Sequence, residues 1–164
     1  MVIIGFDPGL AILGYGVIES DGVKSTAIDY GIITTPTEMP FPQRLVQLHS
    51  GVTKLIESHR PHCIGFEELF FGRNVKTAIS VGQARGAALV AAASLTDQLY
   101  EFTPMQIKKA ITGNGHTDKK GVQYMVALLL GLKAPPKPDD AADALAVALG
   151  LAHILHAGGS YKIQ

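Results

Sequence analysis

Four carboxylates carry the chemistry this sequence could perform: Asp7, Glu67, Asp140 and Asp143. Asp7 closes an apolar run, VIIGFD, and Pro8-Gly9 follows at once. Glu67 closes a second run, HCIGFE. In open α/β sheets, sites gather beyond the carboxyl ends of strands, so carboxylates ending neighbouring strands would converge. Alone, Asp7 reads equally as an Asx-turn opener, and Glu67 as an exposed strand end. Glu68 points to the opposite face. The third cluster is KPDDAADALAVAL, starting at Lys137. Asp139 and Asp140 stand at a helix N-terminus, where Asp caps and complements the dipole. Asp143 lies past the first turn and shares a face with Asp140. That stripe continues to Val147 and Leu151, so Asp143 points inward, and a buried carboxylate needs a partner. No Lys or Arg follows in this helix, which leaves a metal ion as a natural partner. Oxygen donors without a cysteine set or an evident histidine ligand point to Mg²⁺ or Mn²⁺. Such acidic clusters hold two ions about 3.5–4 Å apart for in-line phosphoryl transfer.

These groups need a scaffold. Val2–Asp7 reads as a buried strand, Gly14–Ser20 as a second and Ser25–Thr35 as a third, with Asp21-Gly22 as a hairpin turn. Residues 36–42 form a proline-rich loop. Gln43–His59 has a helical apolar period, which Pro61 ends. His62–Glu67 is a fourth strand. Leu69–Thr77 is a loop, Thr77–Leu95 a small-residue helix and Leu99–Thr103 a fifth strand. Pro104–Thr112 starts a helix, with Pro in its first turn. Gly113–Gly121 is a flexible basic loop, Val122–Leu132 a helix and Asp139–Leu155 the last helix. The order predicts an α/β fold, a mixed five-stranded sheet flanked by helices, as one domain over 1–157 with a flexible C-terminal tail at 158–164.

At 164 residues the chain can bury a real core. A single cysteine, Cys63, excludes an internal disulfide and suits a reducing, cytoplasmic setting. No basic leader or membrane-length apolar run is visible, so no membrane association is expected. Formal net charge is zero, yet Leu69 to Lys133 holds eight bases and three acids, a local +5. Binding follows the local field, so this basic middle suits a polyanion.

Five segments in order, IGFDPGLAILGYGVI (4–18), FEELFFGRN (66–74), VGQARGAALVAA (81–92), QIKKAITGNGHTDKKGVQYMV (106–126) and PDDAADALAVAL (138–149), resemble the RuvC family of bacterial Holliday-junction resolvases. The resemblance covers nearly the whole chain. It implies an RNase H-like fold, a homodimer, and metal-dependent paired nicking of four-way DNA junctions in recombination and repair. It implies Asp7, Glu67, Asp140 and Asp143 as catalytic ligands of two Mg²⁺ or Mn²⁺ ions. Some members carry histidine at the place of Asp140. Asp139 then reads as a cap. Phe70 matches an aromatic that meets distorted bases, and Lys108 and Lys119 match lysines needed for DNA contact or catalysis. Arg73, Asn74, Lys109 and Lys120 read as phosphate contacts, with a solvated surface as the alternative for one of each lysine pair. Association with the RuvA and RuvB branch-migration proteins is implied as well.

Three other readings compete. One is a nuclease of the same superfold acting on RNA/DNA hybrids or duplex. Another is a phosphotransferase, which would need two such domains. The last is a junction binder without activity, against which all four carboxylates speak.

Overall fold

The computed structural model describes residues 1–69, 75–159 and 161–163. Phe70, Arg73 and Asn74, singled out above, lie outside the described residues. Three strands, β1 (Val2–Asp7), β2 (Ile12–Ser20) and β3 (Ser25–Thr34), form an antiparallel meander. The β2–β3 turn is the expected one. Asp21 Oδ1 accepts from the N–H groups of Val23 and Lys24 at 2.9 and 2.7 Å. Two parallel strands, β4 (Cys63–Glu67) and β5 (Leu99–Phe102), complete the sheet in the order β3-β2-β1-β4-β5. Helices α1 (Phe41–His59), α2 (Val75–Ala93), α3 (Pro104–Thr112), α4 (Lys119–Leu129) and α5 (Asp139–His156) follow the expected sequence.

Two apolar cores sandwich the sheet. Ile4, Phe6, Ile64 and Phe66 pack with the buried faces of α1 and α2. Ile3 and Cys63 pack with α3, α4 and α5. Strand alternation therefore decides where the acids go. Phe6 and Phe66 stack at 5.4 Å on the α2 side. The next residues, Asp7 and Glu67, fall on the α5 side, and Glu68 returns to the α2 side.

At three glycines the start of helix α5 approaches the sheet backbone to backbone. A Cβ on Gly5 would fall on the Ala144 carbonyl, and one on Gly14 on the Asp140 carbonyl. One on Gly16 would stand 2.7 Å from Leu145 Cα. Glycine inside a strand marks such close approach. This lane seats the first turns of α5 directly over the end of β1.

Several boundaries differ from expectation. Helix α1 begins at Phe41, because Pro is tolerated in a first turn. Helix α2 begins at Val75. The segment expected as a flexible loop through Gly121 gives way to helix at Lys119, because Asp118 caps it by accepting from the Gly121 N–H at 2.8 Å. The tail expected from Gly158 to be flexible instead pairs with the sheet along Tyr161 to Ile163. Gly158, at φ 77°, ends α5. The Glu101 N–H then donates to the Tyr161 carbonyl and the Ile163 N–H to the Leu99 carbonyl. Tyr161 meets Phe102 edge-on at 5.5 Å.

Candidate active site

Asp7 and Glu67 end adjacent parallel strands, whose register pairs Phe6 with Phe66. Both carboxyls are half-buried on the same face and share a hydrogen bond. Burial and the neighbouring charges of Glu67, Asp143 and Asp140 push the Asp7 carboxyl up to about 7. Glu67 is also raised, first by burial and then by Asp143. Lys119 opposes both shifts, and Lys108 opposes that of Glu67. The four expected carboxylates therefore form one electrostatic cluster, with Asp7 at its centre.

Asp140 and Asp143 come from the first turns of α5, set over β1 and β2 by the glycine lane. Helix α5 itself offers Asp143 no basic partner, as its sequence indicates, but another helix does. Lys119 donates to Asp143 Oδ2 at 2.8 Å, from the first residue of α4. The partner sits on another helix, which the sequence of α5 alone does not reveal. Asp139 is not a cap either. Pro138 occupies that position, and no side chain caps the helix. Asp139 instead pairs with Lys137 at 2.8 Å and stands 3.7 Å from Lys119. Lys137 holds its carboxyl below the ordinary range.

A cavity of about 230 Å³ opens beside the cluster. Ile107, Val122 and Ala146 line it with apolar surface, while Glu67, Asp143, Lys108 and Lys119 supply its charges. Lys108 and Lys109 part company here. Lys109 lines a separate depression with Gln106, His153 and Tyr161. Lys120 is exposed beside Lys119.

Among the described residues, no three Asp, Glu, His or Cys groups already close around one point tightly enough to enclose an ion. The donor set nonetheless suits a hard divalent cation. It consists of carboxylate oxygens, two of them raised by burial and then by their mutual repulsion, and positive charge held among them would offset that repulsion. Asp7, Glu67, Asp140 and Asp143 are the residues that could hold it.

A five-stranded mixed sheet with this strand order, helices on both faces and acids at the ends of β1 and β4 defines an RNase H-like protein. A family model described as crossover junction endodeoxyribonuclease RuvC matches residues 3–153. The chain is 47% identical over 164 residues to the protein of that name from Alkaliphilus metalliredigens, covering all of both chains. It is 51% identical over 153 residues to that of Desulfitobacterium hafniense, covering 93% of each. A solved structure of T. thermophilus RuvC in complex with Holliday junction substrate superposes with a TM-score of 0.92 at 35% identity, over 99% of this chain and 100% of that one. The chain belongs to the RuvC family of crossover junction endodeoxyribonucleases.

Proposed function

We propose that this chain resolves four-way DNA junctions by paired symmetric nicks, as a homodimer in the bacterial cytoplasm, during recombination and repair. The observation that carries this reading is the convergence of Asp7, Glu67, Asp140 and Asp143 beneath Lys119, in a chain with a basic middle. Asp7, Glu67, Asp140 and Asp143 would hold two Mg²⁺ or Mn²⁺ ions. When bound, such ions supply an acidified water and a charge at the leaving 3′ oxygen.

The chain's own residues do the rest. Lys119 stands where negative charge would develop, and its ammonium needs no reorganisation to offset it. Lys108 lines the same cavity and meets the scissile strand. Lys109 and Lys120 face elsewhere and serve as outer phosphate contacts with Arg73 and Asn74. Phe70 stacks on bases splayed near the crossover.

Dimer formation is supported by α2. Ile79 and Val90 are 58% and 60% exposed, and a Cβ added at Gly86 would meet nothing within 4 Å. Ile79, Gly82, Gly86 and Val90 share one helix face. A two-fold pair would offer one site to each of two equivalent strands. Family membership supports association with RuvA and RuvB. Among the described residues no helix is long and apolar enough to cross a membrane.

One gel tests the reading. A synthetic four-way junction, a linear duplex and an RNA/DNA hybrid are compared with Mg²⁺, with Mn²⁺ and with chelator. Cleavage of the junction alone, and only with metal, is expected. Cleavage of the hybrid but not the junction would overturn it. Junction affinity should also fall steeply with salt, as phosphate contacts release counterions.

A further inference from the structure

The Lys119 ammonium stands between two carboxylates of one helix. Among the described residues, Asp143 Oδ2 lies 2.8 Å from it and Asp139 Oδ2 3.7 Å. The two aspartates are four residues apart on α5 and so share one side of the helix. Their surroundings differ. Asp143 belongs to the carboxylate cluster around Asp7 and Glu67. Asp139 is the first residue of α5, has 45% of its side chain exposed and pairs with Lys137 at 2.8 Å. It makes no capping bond to the α5 backbone. Ion pairs this exposed contribute little to stability. Neither capping nor stability therefore accounts for a second carboxylate beside Lys119.

The chemistry of Asp143 suggests what the second carboxylate does. Asp143 Oδ2 cannot serve the ammonium and a divalent cation equally well, because the two positive charges repel. A shift of about 1 Å toward Asp139 would give Lys119 another hydrogen bond of ordinary length. That shift leaves the ammonium at the cavity it already lines. It is then fixed in place before charge develops in the reaction. Without Asp139, the ammonium has two alternatives. On Asp143 it opposes the cation, and in water it is no longer aimed at the site.

We propose that Asp139 is a positioning residue that takes up Lys119 when Asp143 engages a divalent cation, so that the lysine stays at the site without competing for its ligand. The inference rests on the ligand role given to Asp143 under the proposed function.

A double-mutant cycle read by Mn²⁺ calorimetry, without DNA, tests it. Asp139→Asn should weaken Mn²⁺ binding about threefold to tenfold, and Lys119→Met should tighten it. In the Lys119→Met background, Asp139→Asn should change affinity by less than about twofold, because no lysine is left to place. Equal weakening in both backgrounds would mean that Asp139 acts only through its negative charge, and overturns the inference. Undiminished affinity of Asp139→Asn with Lys119 present does the same.

Cleavage gives a second reading. Asp139→Asn should lose about fivefold or more in single-turnover rate at saturating protein and Mn²⁺, with junction affinity in chelator unchanged. Asp139→Glu keeps an acceptor and should stay within about twofold of the unaltered protein. If Asp139→Glu cleaves no better than Asp139→Asn, the carboxylate does not place the lysine and the inference fails. Asp143→Asn separates the inference from its premise. It is expected to lose Mn²⁺ binding. If it binds as the unaltered chain does, the ligand role of Asp143 falls and the inference with it. If it loses binding while the cycle is additive, the inference alone falls.

Discussion

The Lys119 ammonium lies 2.8 Å from Asp143 Oδ2, joining the first turn of α4 to the second turn of α5, 24 residues apart at these positions. Asp118 caps α4 and so brings Lys119 to the helix start. The glycine lane seats α5 and so brings Asp143 over the sheet. The bond is a product of both devices.

Lys119→Met is expected to reduce cleavage about a hundredfold at saturating protein, the scale of removing one fixed charge from a transition state. The Lys119 side chain is 54% exposed, so its ion pair contributes at most about 1 kcal/mol to stability. Thermal melting should hardly change. Single-turnover cleavage at saturation is the measurement. A change in affinity alone would make Lys119 a phosphate contact.

Asp7→Asn is expected to abolish cleavage and yet stabilise the metal-free chain at pH 8. The folded chain holds the Asp7 proton until about pH 7, while an unperturbed Asp releases it near 3.8. Across that window the folded state binds the extra proton, so stability falls as pH rises from about 4 to 7. The loss is bounded by about 4 kcal/mol at roughly 1.4 kcal/mol per unit. In chelator, Asp7→Asn should melt several degrees above the unaltered chain at pH 8 and close to it at pH 4. Lower melting at pH 8 would assign Asp7 a structural role.

Divalent-ion affinity should climb with pH through about 7, because the ions displace the proton held on Asp7. Calorimetric titration of Mn²⁺ at pH 6 and pH 8, in buffers of different ionisation enthalpy, reads both the affinity and the released proton. Equal affinity at the two values would mean that Asp7 does not take part in ion binding.

Gly14→Ala should cost about 1–3 kcal/mol, since its methyl would occupy the place of the Asp140 carbonyl. Cleavage should fall much further than that loss explains, as α5 lifts and Asp140 and Asp143 move with it. Melting and cleavage measured on the same preparation check this. Activity matching the unaltered protein would show that the close contact does not position the site.

Much of this was legible in the residues. The places of Asp7 and Glu67 at the ends of two apolar runs pointed to their convergence, and the apolar stripe below Asp143 marked its inward side. What escaped were relations between elements. Lys119 read as part of a loop because Gly121 follows it, while the Asp118 cap starts a helix there. Asp139 read as a cap because Asp is common at helix starts, whereas Lys137 and Lys119 draw its carboxylate away. Arg85 entered only as a charge, because its partner Glu101 lies on a strand that sequence spacing does not bring beside α2. The tail read as flexible because paired glycines suggest fraying, while Gly158 turns the chain toward β5.

The glycine lane bears on how mutational maps of this chain would read. Gly5, Gly14 and Gly16 touch no substrate in the proposed chemistry, yet substitutions there would score as loss of function beside the four acids. A screen for activity would draw one continuous hot region and call it all catalytic. Abundance would split it: carboxamide replacements of the acids leave folded, inert protein, and replacements along the lane deplete the protein itself.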